Sequence, residues 1–187
     1  MLSEYLAPTF IQMLTALSGW LDKARAEAAD ADRLLSARLA PDMFPLATQI
    51  RFACVQAREG VYRLRGEEFP RAVEALLDQG RAADSHPGTI ADAQACIAET
   101  IALVESLGVA DCDPDPDPDR PVAHALPNGM ILDLTARQYG RDWALSQFYF
   151  HVMIAYAILR SQGIALGKAD YIAHMLPYFR PETPPTE

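Results

Sequence analysis

A chain of 187 residues is the size of one domain with a single core and too short for two ordinary ones. Half of it is hydrophobic and 22% is charged, which excludes general disorder. Subtracting 25 acidic from 16 basic residues leaves a net charge of -9 with no basic stripe, so nucleic-acid binding is not expected.

Met1-Leu2-Ser3-Glu4-Tyr5 carries an acid where a signal peptide needs its basic segment, and the mature chain is expected to start here. Proline removes a backbone donor and clashes with the preceding helical turn, so the long proline-free segments are the candidate helices. The first is predicted from about Thr9 to Ala29, with Phe10, Met13, Leu14, Leu17, Leu21, Ala24 and Ala28 on one face. Thr9 and Gln12 read as the capping box that opens it. A short helical piece around Asp32 to Leu39 follows, stopped by Pro41. The second long helix starts at Pro45 and carries Leu46, Ile50, Ala53, Ala57, Val61 and Leu64 in a single stripe as far as about Arg65. Gly66 is its terminator.

Glu67 to Gly88 is long enough to cross a bundle, and Arg71 to Gln79 within it has the pattern of a small extra helix. Thr89 and Asp92 repeat the capping-box spacing and open a helix to Leu107, which Gly108 ends. The run from Asp111 to Asp119 alternates acid with proline, which predicts an extended, self-repelling surface spacer. Its aspartates lack the glycine turn and distal glutamate of a calcium loop.

Val122 to Leu134 reads as a β-hairpin around the two-residue turn signal Asn128-Gly129. Thr135 and Gln138 then cap a last long helix to about residue 162, apolar almost all round between Gln147 and Leu159 and therefore predicted to be the most buried. Although Trp143 to Leu159 carries no formal charge, Ser146, Gln147 and His151 interrupt it, and Asp142 and Arg160 close it short of a membrane span.

His151 is the leading candidate for function, because Gln147, Phe150, Ile154 and Ile158 share its face and would carry it into the bundle interior. One turn away stand Gln147 and Ala155 rather than a second histidine, so a buried, hydrogen-bonded imidazole is favoured over a metal ligand. His86, His124 and His174 fall in connections or terminal segments. Gly163 to Ala169 imitates a phosphate loop but has three residues between its glycines and Ala169 in place of the hydroxyl, so it reads as a helix terminator and a turn. Cys54 and Cys96 fit small core positions, and Cys112 has acidic neighbours that disfavour its thiolate. Three scattered cysteines match neither a zinc site nor a disulfide framework, which fits a reducing cytoplasm.

Four strings carry a family resemblance: Leu39-Ala40-Pro41-Asp42-Met43-Phe44-Pro45-Leu46, Phe148-Tyr149-Phe150-His151-Val152, Ala155-Tyr156-Ala157-Ile158-Leu159-Arg160 and Gly167-Lys168-Ala169-Asp170-Tyr171. From Met1 to about Ile172 the chain resembles an uncharacterised bacterial family of the DinB-like, or YfiT-like, superfamily. The resemblance implies an all-α four-helix bundle in up-down-down-up order, with the small hairpin inserted before the last helix. A proline in relatives at the position of Ser146 implies that this last helix breaks there. Residues 1–176 are expected to form one domain, followed by a proline-rich tail over 177–187.

Many members of the superfamily hold a metal on one histidine from the second helix and an H-x-x-x-H pair from the last. Here the matching positions are Gln49, His151 and Ala155. The resulting expectation is a metal-free bundle binding a small molecule in a cleft near His151, Gln49, Asp42 and Tyr156, with no cofactor. The alternative is a zinc- or nickel-dependent thiol transferase or hydrolase with a rearranged site, using His151 with Asp42, His174 or another late ligand. The resemblance also implies a homodimer, and no membrane partner is expected.

Overall fold

The computed structural model describes residues 2–108, 117–126 and 128–180. Helix α1 spans Leu2–Glu27, α2 Leu46–Arg65, α3 Arg71–Arg81 and α4 Ile90–Gly108. Strands β1 (Pro121–Ala125) and β2 (Ile131–Thr135) precede a composite helix made of α5 (Ala136–Gln138), a π-helical stretch (Tyr139–Ala144) and α6 (Leu145–Ser161). A short α7 (Lys168–Tyr171) and a 3-10 turn (Ala173–Tyr178) close the described chain. Another 3-10 turn, Ala31–Ser36, sits where the sequence placed a short helical piece.

Side-chain contacts give the helix directions. Phe10 meets Phe148 and Trp20 meets Tyr156, so α1 and α6 run parallel. Arg58 on α2 bonds Thr100 on α4 while Arg51, two turns earlier, bonds the Pro87 carbonyl just before α4, so those helices are also parallel. Gln49 reaches His151 whereas Gly60 lies against Ala144, which sets α2 antiparallel to α6. The bundle is therefore up-down-down-up, with Glu67 to Thr89 crossing between its two parallel helices. Its core is continuous: Phe10, Leu14, Leu17, Trp20, Leu46, Ile50, Ala57, Phe148, Val152 and Ile158 are among its fully buried members. Gly60 lets α1 pack closely on α2, since a Cβ there would lie 2.9 Å from the Phe10 ring.

The capping boxes at Thr89 and Thr135 form as expected. Gly66 takes a left-handed C-cap with φ 71°. The box at Thr9 does not form. Helix α1 already begins at Leu2 and continues through Pro8, because Leu6 and Ala7 are buried in the core, and the Thr9 hydroxyl instead donates to the Tyr5 carbonyl at 2.6 Å. The last helix does not break at Ser146, which lies within α6; the irregularity is the π stretch just upstream. Phe150, placed inward on the sequence, is 54% exposed, and Met153 is 40% exposed, so α6 buries one face rather than all of itself.

The hairpin pairs Val122 with Leu134 and Ala125 with Ile131. The Gly129 amide donates to the Leu126 carbonyl at 2.9 Å, but the Leu126 amide donates to the Met130 carbonyl at 2.7 Å, which makes the connection longer than a two-residue loop. The Asp-Pro spacer falls mostly on residues 109–116, outside the described residues, as do residues 181–187 of the expected tail. The expected domain boundary at 176/177 falls inside the final 3-10 turn. Among the described residues no helix is long and apolar enough to cross a membrane.

Candidate functional site

A cavity of about 580 Å³ opens between α2, α3, the hairpin and the composite helix. Its apolar wall comes from Phe44, Phe52, Leu77 and Leu126, and its polar groups from Gln56, Glu59, Arg81, His124, Trp143, Gln147 and His151. An apolar cleft of this size with a few converging polar groups is the form small-molecule sites take. The π stretch contributes to it directly. Adding a residue to the helical turn re-aims the side chains that follow, and Trp143 and then Gln147 line the cavity.

His151 is buried, and its Nδ1 lies 2.8 Å from Gln49 Oε1. The orientation of Gln49 is fixed by its own amide, which donates to the Phe44 carbonyl at 3.3 Å. Oε1 therefore accepts and Nδ1–H donates, which leaves Nε2 as the unprotonated nitrogen at the cavity wall. Burial pushes the imidazole down to about 4, so it is neutral at physiological pH. Phe52 and Phe150 pack edge-on against its ring.

Three turns further along α2, Glu59 is buried, and burial pushes its carboxyl up to about 7 against the opposing influence of Arg63. His124 is held below its ordinary value, chiefly by burial and then by Arg63, and sits between the rings of Tyr139 and Trp143. Gln56 Oε1, Trp143 Nε1 and the Tyr139 hydroxyl are buried without hydrogen-bond partners. Burial, and then the neighbouring Glu59, raise the Tyr139 phenol further.

Of the residues expected at the cleft, the structure brings His151 and Gln49 together. Asp42 is exposed in the connection before α2 and does not line the cavity. Tyr156 packs edge-on against Trp20 on the α1 side of α6, away from it. Glu59, Gln56, Trp143 and His124 were not anticipated. The signal for the first two was present as a second stripe on α2, Gln49, Phe52, Gln56 and Glu59, at spacings of three, four and three.

The superfamily's metal does not fit these side chains. The position one turn after His151 is the methyl of Ala155, Gln49 Oε1 is already held by His151, and among the described residues no group of three or more His, Cys, Asp or Glu side chains converges on one point. His174, a proposed late ligand, lies by a separate cleft with Trp20, Lys23 and Asp170. The segment resembling a phosphate loop holds a carboxylate: Asp170 accepts from the Gly167 amide at 2.7 Å and pairs with Lys23 at 2.7 Å. Gly163 has φ 88° and ends its helix as a turn residue.

This up-down-down-up bundle, with its hairpin inserted before the last helix and its cleft against the second and last helices, is a DinB-like fold. It is similar to the crystal structure of a DinB family member protein from Shewanella denitrificans, with a TM-score of 0.70 and 30% identity over 96% of this chain and 93% of that one. Residues 2–172 match the model of the family described as domain of unknown function DUF1993, and the chain belongs to that family. Comparison with curated proteins gives no match.

Proposed function

We propose that the chain is a small-molecule-binding DinB-like protein that uses the cavity beside His151 without a metal. The observation that carries this reading is the cavity of about 580 Å³, whose walls combine aromatic rings with buried polar atoms that have no partner in the protein. Such atoms cost stability unless something satisfies them, and a ligand's polar groups would do so. The metal-free part of the reading is supported by the missing donors at Gln49 and Ala155.

Thermal-shift screening of a fragment library against the wild type and Gln147→Trp, which fills the cleft, tests the proposal. Stabilising fragments that are lost in the variant are expected; fragments that stabilise both proteins equally would refute it. Self-association as a homodimer belongs to the same reading, supported by exposed Phe150 and Met153 on α6, and sedimentation as a monomer at micromolar concentration would count against it. The free thiols Cys54 and Cys96 support residence in a reducing cytoplasm.

A further inference from the structure

We propose that the cavity takes a hydrophobic amine, with an aromatic or aliphatic body against the ring-lined wall and a protonated amine received by Glu59 and the acceptors around it. This rests on the small-molecule reading above and narrows it to a ligand class.

The lining of the cavity holds one acidic side chain, and it is unpaired. Glu59 makes no hydrogen bond or ion pair among the described residues although it is buried. Gln56, three residues earlier on the same face of α2, holds Oε1 buried without a donor. Nε2 of the neutral His151 is a third acceptor, because Nδ1 is committed to Gln49. Donors are present too: Trp143 Nε1 is buried in the lining without a partner, the Gln56 and Gln147 amides line the cavity, and Arg63 Nε and the Tyr139 hydroxyl are unpartnered near Glu59, so what distinguishes the cavity is its unpaired acid. Arg81 stands at the exposed rim and is paired with Asp78 at 3.1 Å.

Charged and titratable neighbours reach Glu59's side of the cavity from each element around it: Arg63 on α2, Arg81 on α3, His124 on β1, Tyr139 in the π stretch and His151 on α6. Burial disfavours the charged form of both histidines, with Arg63 adding to it at His124, and the Arg63 guanidinium lies 4.4 Å over the Phe69 ring.

Each ligand class meets this inventory differently. An anion would set a second negative charge near Glu59, with Arg63 drawn over the Phe69 ring and the rim Arg81 already paired with Asp78. A purely apolar molecule would dry the cavity and leave the carboxyl and Gln56 Oε1 unsatisfied. A primary ammonium supplies three N–H donors and a compensating charge, and Phe52, Phe44 and Trp143 present aromatic surface to its body and to the cation.

The test is calorimetric titration of the full chain at about pH 8 with three probes sharing one skeleton: phenethylamine, phenethyl alcohol and hydrocinnamate. The amine is expected to bind at least about tenfold more tightly than either analogue, which is about 1.4 kcal/mol. Its advantage should disappear in Glu59→Gln, survive in part in Glu59→Asp, and shrink in the wild type as the pH is lowered to about 6 and the carboxyl gains its proton. Circular dichroism establishes that the variants are folded. If the alcohol or the acid binds as well as the amine, the amine assignment falls while the small-molecule reading stands. If none of the three binds but the fragment screen yields ligands displaced by Gln147→Trp, the amine assignment again falls alone. If the screen is also empty, both fall.

Discussion

Replacing Glu59 by glutamine should make the protein more stable at neutral and alkaline pH, which is unusual for a buried polar position. The carboxyl is raised from 4.5 to about 7 because burial penalises its charged form, with Arg63 opposing. The native state therefore holds the proton more tightly than the unfolded chain does. Stability from this source is complete below about pH 4.5 and is lost as the pH rises through about 7. An interval of about 2.5 pH units at 1.36 kcal/mol each amounts to about 3 kcal/mol, a ceiling because hydration of the cavity relieves part of it. Glutamine has nearly the shape of the neutral acid and never charges.

Urea unfolding of both proteins at about pH 8, 6 and 4.5 measures the difference. The expected result is a variant more stable than the wild type by up to about 3 kcal/mol at about pH 8, with the gap closing toward pH 4.5. His151 works in the opposite direction. Its value is lowered from 6.5 to about 4, so its contribution is present above about pH 6.5 and is lost as the pH falls toward 4. In the wild type the two slopes offset each other over the shared window, and Glu59→Gln exposes the histidine slope. A gap that does not change with pH, or a wild type that is the more stable at pH 8, would refute the reasoning.

Gln49→Leu removes the acceptor of the buried His151 Nδ1–H and should destabilise the fold by about 1–3 kcal/mol in urea unfolding; a neutral substitution would mean that the bond contributes nothing. Protein purified without a histidine tag should contain no stoichiometric zinc or nickel by elemental analysis and should take up neither tightly on titration. Near-stoichiometric metal that is lost in His151→Ala would restore the metalloenzyme alternative. Iodoacetamide at about pH 7.5 should label Cys96 before Cys54, because hydrogen bonding from Cys54 and the charge of Arg58 favour the half-buried Cys96 thiolate, while the Cys54 thiol is fully buried and raised. Equal labelling rates from peptide mapping would contradict that ordering.

The long helices were legible because each carries one apolar stripe with a marked end. The α2 stripe from Leu46 to Leu64, the Gly66 stop and the capping pairs Thr89/Asp92 and Thr135/Gln138 are all local signals, and all are found in the structure. The start of α1 was misplaced for an equally physical reason. Thr9 and Gln12 have the spacing of a capping box, but burial of Leu6 and Ala7 extends the helix past them, and tertiary packing outweighed the local pattern. The π stretch had no such signature, since Tyr139 to Ala144 reads as ordinary helix.

At the cavity, the His151–Gln49 pair could be foreseen from two helices of known phase, while the remainder of the site could not. His124 reaches it only because β1 pairs with β2 in the register that faces His124 into the bundle, and Trp143 only because the π stretch turns it there. Glu59 is the instructive residue. On the sequence it is one more acid in a chain of net charge -9, at a helix position that solvent-facing glutamates commonly occupy. It becomes a functional candidate only when the crossing segment brings α3 and its Leu77 over that face of α2 and the hairpin closes the opposite side. Local pattern can place such a residue on a second stripe, but only the long-range assembly removes its water, and loss of that water makes the carboxyl both costly to the fold and available to a ligand.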